Sequence, residues 1–101
     1  MLIISQDKQA IINFENMQSI SIENPLEDDD GMFKIIAETD RSIYALGRYA
    51  AEERAKEILT QIVYRYSAVE MYKIADEQTK NAIVQTYSEK GITPYIFEMP
   101  K

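Results

Sequence analysis

Ala50-Ala51-Glu52-Glu53-Arg54-Ala55-Lys56-Glu57-Ile58-Leu59-Thr60-Gln61-Ile62-Val63-Tyr64-Arg65-Tyr66-Ser67 is the stretch on which the fold turns. Its apolar residues Ala51, Ala55, Ile58, Leu59, Ile62 and Tyr66 stand 4, 3, 1, 3 and 4 residues apart, which lays them along one stripe of an α-helix. Glu52 and Glu53 fall in the first turn, where the helix dipole favours negative charge, and Arg65 falls near the other end, where it favours a cation. Glu52 and Lys56 form a Glu-first i,i+4 pair on the outer face. No Gly or Pro interrupts the run. Propensity, period and charge agree, and they predict one amphipathic helix from Ala50 to about Ser67, laid over one face of an antiparallel sheet.

Working back from the helix, the period changes to two. Leu2–Ser5 is short and apolar, and Gln6-Asp7-Lys8-Gln9 is turn-like. Ala10, Ile12 and Phe14 alternate on one face, and Ile20 and Ile22 alternate with serines. Met32–Glu38 is apolar on both faces and reads as a central strand, and Ser42–Gly47 returns beside it. About five strands with short connections make an antiparallel meander. Beyond Ser67, Val69–Ile74 extends the helix or forms another strand. Asp76 is a plausible N-cap for a second helix through Ala82, Ile83 and Tyr87, with Gly91 as its stop. Pro94 cannot donate to a ladder, so Ile92–Met99 is an edge strand or an extended tail. The class expected is α+β in one domain over residues 1–101: meander, long helix, second helix, short C-terminal strand.

Composition narrows the function. With 11 basic against 17 acidic residues the net charge is −6, which argues against direct DNA or RNA binding. No apolar run reaches the roughly 18 residues that a membrane span needs. There is no Cys and no His, so the commonest metal ligand, general base and thiol nucleophile are all missing. Glu53 and Glu57 lie one helical turn apart and read as a solvated polar face. Glu27-Asp28-Asp29-Asp30-Gly31 lacks the alternating ligands and the distal Glu of a calcium loop, and reads as a solvated charge run. The three glycines form no phosphate-binding loop, so a nucleotide would be gripped by side chains. Seven tyrosines and four arginines supply stacking faces and forked phosphate donors. Tyr66 and Tyr87 are assigned to the core. Tyr64 and Arg65 lie off the core stripe, and Arg48 and Tyr49 sit at the strand-to-helix junction; these four are the candidates for contact with a ligand or partner.

Ile3-Ile4-Ser5-Gln6-Asp7-Lys8, Ile12-Asn13-Phe14-Glu15-Asn16, Leu46-Gly47-Arg48-Tyr49 with the helix start that follows, and Ile96-Phe97-Glu98-Met99-Pro100 together resemble a family of small proteins from bacteriophages and Gram-positive prophages. The motifs cover about a third of the chain, in matching order. The family's architecture is similar to that of the anti-Thoeris sponge proteins. Those bind cyclic ADP-ribose signals made by bacterial TIR-domain defence proteins and hold them without cleavage, as symmetric oligomers with pockets between protomers. Some also hold cyclic oligonucleotides. The resemblance implies a non-enzymatic, cofactor-free binder of a cyclic nucleotide, acting as a homo-oligomer in the host cytoplasm. It puts Arg48 and Phe97 at the ligand through the matching motifs, and Tyr72 and Asn81 through the architecture. In an acidic chain, any pocket for such an anion must be locally basic. The alternatives are an acidic inhibitor that mimics nucleic acid toward a basic host factor, or a phage accessory protein.

Overall fold

The computed structural model describes residues 1–26, 31–89 and 95–101, with residues 87–89 described by their backbone alone. The acidic run at 27–30, the expected helix stop at Gly91, Pro94 and the side chain of Tyr87 lie outside the described residues. The chain is α+β, with strands β1 (Leu2–Ile4), β2 (Ile11–Asn13), β3 (Ser19–Glu23), β4 (Phe33–Glu38), β5 (Ile43–Tyr49) and β6 (Ile96–Glu98). Two helices, α1 (Glu52–Ile74) and α2 (Glu77–Glu89), lie between β5 and β6.

The strands divide into two three-stranded sheets, ordered β2-β1-β6 and β3-β4-β5. The second is the expected meander, with β4 central and antiparallel to both neighbours. The break comes at Phe14–Asn16, a 3-10 turn whose start is fixed by the Asn13 carboxamide accepting from Glu15 N at 3.1 Å. This turn carries the chain away from β2, so the open side of β1 takes β6 instead, in parallel, with Leu2 opposite Ile96 and Ile4 opposite Glu98.

The helix is longer than its apolar stripe predicts. It continues through Ile74 because its second half finds partners on the first sheet's side. Tyr66 packs on Phe14 with ring centroids 4.4 Å apart, and Lys73 Nζ bonds Glu70 at 3.0 Å and Glu15 at 3.1 Å. The buried side chains of α1 are Ala55, Ile58, Ile62 and Val69, while Ala51 is an exposed N-cap and Tyr66 is half-buried. Ile58 and Ile62 meet Ile35, Ala37 and Leu46 of the meander together with Ile3, Ile12 and Phe97 of the other sheet. Each fully buried isoleucine contributes about 2 kcal/mol.

The sheets are joined at a bulge. Ile35 faces Gly47 and Ile36 faces Ala45, which leaves Leu46 as the extra residue on β5. A bulged residue is released from the ladder, and the Leu46 carbonyl accepts from Gln6 N at 2.7 Å instead. The Gln6 carboxamide then pairs with the Arg48 backbone and also donates to Pro100 O at 3.2 Å. Beside this joint the Tyr49 ring lies over Gly47: a Cβ there would stand 2.7 Å from the Tyr49 hydroxyl, so any other residue would displace the Tyr49 ring.

Candidate functional site

Of the residues singled out in the sequence, Tyr49, Arg65, Tyr72 and Phe97 come together along β6 and the residues around it, the Arg48 backbone is tied to the segment after β6 through Gln6, and Tyr64 and Asn81 lie elsewhere. Arg65, on the side of α1 that faces β6, donates from Nη1 to Ile96 O at 3.0 Å, and its guanidinium carbon stands 5.4 Å from the centroid of Phe97. One end of the track is aromatic: Tyr72 meets Tyr95 edge to face at 5.5 Å, and Lys80 Nζ lies 5.5 Å from the Tyr72 ring centre. The Tyr95 phenol is held above its usual range, first by its hydrogen bond with Tyr72 and then by burial. At the other end the Tyr49 hydroxyl donates to Pro100 O at 2.7 Å.

Two of these residues act from underneath. Tyr49 is 3% exposed, whereas Phe97, 4% exposed, lines a groove along β6 from beneath Arg65. Tyr49 anchors the segment after β6, and Phe97 is the shelf under Arg65. Burial pushes the Tyr49 phenol up to about 12, against a smaller opposing pull from Arg54. Asn81 is exposed on α2, and Tyr64 points outward on the opposite side of α1.

Arg65 and β6 wall a groove of about 690 Å³, within the size range of small-molecule sites. Lys8, Arg65 and Lys101 line it against one carboxylate, Glu98, and Gln61 adds a carboxamide. Lys8 stands at φ 65°, a left-handed conformation that costs a non-glycine residue about 1 kcal/mol. The turn holds it there: Lys8 N donates to Ser5 O at 2.9 Å, Gln9 N to Asp7 Oδ1 at 3.0 Å and Ala10 N to the buried Ser5 hydroxyl at 3.1 Å. The Ser5 hydroxyl, and after it Gln9 N, keep the Asp7 carboxyl below its usual 3.8. Lys8 Nζ thereby reaches Glu98 at 3.6 Å. Lys8, Gln61, Tyr95 and Lys101 were not singled out in the sequence. Lys8 is marked in the sequence by its place in a turn and at the end of the Ile3–Lys8 motif, and Gln61 sits four residues before Arg65 on the same helix face.

A second cleft, of about 850 Å³, lies between β2 and the turn at 39–41. Asp40 and Arg41 balance in charge there, and Asn13, Asn16, Gln18 and Tyr44 complete a polar lining. The groove along β6 is the better site for an anion because cations outnumber acids around it. Its donors are a guanidinium, which carries five N–H groups in one plane, and two flexible ammonium groups. Such a set clamps a phosphate or pyrophosphate.

No helix among the described residues is long and apolar enough to cross a membrane. The chain thus defines an α+β domain with a basic groove beside its C-terminal strand. No family model, curated protein or solved structure matches it.

Proposed function

We propose that this protein is a phage-encoded, non-enzymatic binder that sequesters a small anionic nucleotide in the groove along β6, and that it does so as a homo-oligomer in the host cytoplasm. The observation that carries the reading is charge placement: in a chain of net charge −6, Lys8, Arg65 and Lys101 line one groove together. Sequestration needs binding without turnover, and a groove of donors supplies binding. The resemblance of the Arg48 junction and the 96–100 motif narrows the ligand to the cyclic ADP-ribose type, with cyclic oligonucleotides as the next class. Holding such a signal would silence the bacterial defence that makes it.

Calorimetry with cyclic ADP-ribose isomers and cyclic dinucleotides tests this directly. Arg65→Ala should weaken binding by about tenfold or more, the loss of a charge-assisted pair. No heat from any of these ligands at protein concentrations on the order of tens of micromolar removes the reading.

A further inference from the structure

Glu98 is the one acid among the described residues that line the groove along β6, and the fold fixes it there. Phe97 and Met99 on either side of it are buried, so the alternation of the strand turns Glu98 outward. Its backbone is held by the parallel register with Ile4 and by Met99 N, which donates to Ile4 O at 3.0 Å. Lys8 is held by the turn that keeps it left-handed, and its Nζ stands 3.6 Å from the Glu98 carboxylate.

This ion pair does little for the fold. The Lys8 side chain is 57% exposed and that of Glu98 63%, and water screens a pair so open. Nor does the carboxylate help a bare anion to bind. A phosphate set between Lys8 and Arg65 lies against a like charge. An ionised carboxylate only accepts hydrogen bonds, whereas Lys8, Arg65 and Lys101 only donate them. One acceptor among three donors calls for a ligand that carries an anion and hydroxyl groups together.

The spacing fits both on one molecule. Arg65 binds Ile96 O, and Glu98 lies two residues further along β6, roughly 7 Å of strand. A sugar ring with its phosphate arm spans that distance, and a single phosphate does not. The vicinal hydroxyls of a ribose also match the two oxygens of a carboxylate, each hydroxyl donating to one of them.

We propose that Glu98 is the specificity-determining residue of this groove: it accepts from the 2′- and 3′-hydroxyls of a ribose whose phosphate the cations hold, and it turns away phosphate that carries no sugar. Lys8 neutralises the carboxylate in the empty groove and passes to the phosphate when the hydroxyls arrive. The inference rests on the nucleotide reading given above and adds which part of the nucleotide is read, and by which side chain.

Calorimetry with ADP, 2′,3′-dideoxy-ADP and inorganic pyrophosphate tests it, since the three share a diphosphate and differ in the sugar. The intact chain is expected to bind ADP about tenfold more tightly than the dideoxy compound, the worth of a charge-assisted hydrogen bond. Pyrophosphate should be the weakest of the three. Glu98→Ala changes an exposed side chain, so its circular dichroism should match wild type. In that variant the preference for ADP should fall to near one, and pyrophosphate should bind several-fold more tightly. Lys8→Ala should weaken all three ligands and keep the preference. A wild-type chain that binds ADP and dideoxy-ADP equally overturns the proposal, as does a preference that survives Glu98→Ala. A preference that Lys8→Ala also abolishes overturns it too, because the ion pair and not the carboxylate would then be responsible. No binding of any of the three overturns this role for Glu98, and binding of cyclic ADP-ribose by the same sample would leave the function proposed above in place.

Discussion

At Gln6 a carboxamide takes the place of a strand's peptide group. Its Oε1 accepts from Arg48 N at 2.8 Å, and its Nε2 donates to Arg48 O at 3.2 Å. Both backbone groups of Arg48 are thus paired on the side of β5 away from β4, where no strand lies beside them. Tyr49 completes the joint through Pro100, and its phenol makes a pH-dependent contribution. The folded chain holds that proton more tightly than the unfolded one. Stability from this group is complete below the ordinary pKa of 10 and drains as pH rises toward about 12. Tyr49→Phe should therefore cost about 1 kcal/mol at neutral pH, the worth of one hydrogen bond. The gap to wild type should close between pH 10 and 12 in urea unfolding curves, and a gap that stays constant would contradict the role given to the phenol. None of this was legible in the sequence. Gln6 reads as one more turn residue, and Tyr49 as a surface aromatic, because a single side chain's partner more than forty positions away leaves no local pattern.

At the scale of elements the sequence says much more, and the reason is periodicity. Ala55, Ile58 and Ile62 repeat with the helix, so the inner face of α1 could be read directly. The extension through Ile74 could not, since Tyr66, Glu70 and Lys73 owe their order to Phe14 and Glu15 on another element. The start of α2 was legible because its signal is local: Asp76 Oδ1 accepts from Thr79 N at 2.8 Å, which makes Asp76 the cap. That contact, with a smaller one from the Thr79 hydroxyl, holds the Asp76 carboxyl below its usual 3.8. The cap is accordingly in force above that pH and fails as pH falls through the lowered value. Asp76→Ala should speed hydrogen exchange in α2 roughly several-fold at neutral pH. Asp76→Asn should keep the cap in acid as well as at neutrality, and equal exchange rates in all three chains would show that Asp76 does not govern this end.

For the whole molecule, the α+β class and the order of the elements were legible, but the division into two sheets was not. The sequence gives strand periods without partners, and the choice of β6 by β1 is made across nearly the whole chain. The candidate groove shares that character. Arg65 and Phe97 were found because one lies off a helical stripe and the other in a C-terminal motif, whereas Lys8 joins them only through the fold. The same closure sets a prediction. A chain ended before Tyr95 loses Phe97 and Met99 from the core, at about 2 kcal/mol each, and leaves one side of β1 open. It should lose its cooperative thermal transition, while removal of Lys101 alone should leave that transition in place. A truncated chain that melts as sharply as its parent would show that β6 is dispensable to the fold.

The parallel pairing of β1 with β6 also fixes an order of events in time. Leu2 and Ile96 are ninety-four positions apart, so their contact closes nearly the largest loop this chain can form. The β3–β5 meander and the helices can assemble from neighbours within microseconds to milliseconds, but the first sheet must wait for the last strand to be synthesised. Until then the β1–β2 hairpin has an unguarded edge, and a nascent chain on the ribosome is at its most prone to pair with the wrong strand.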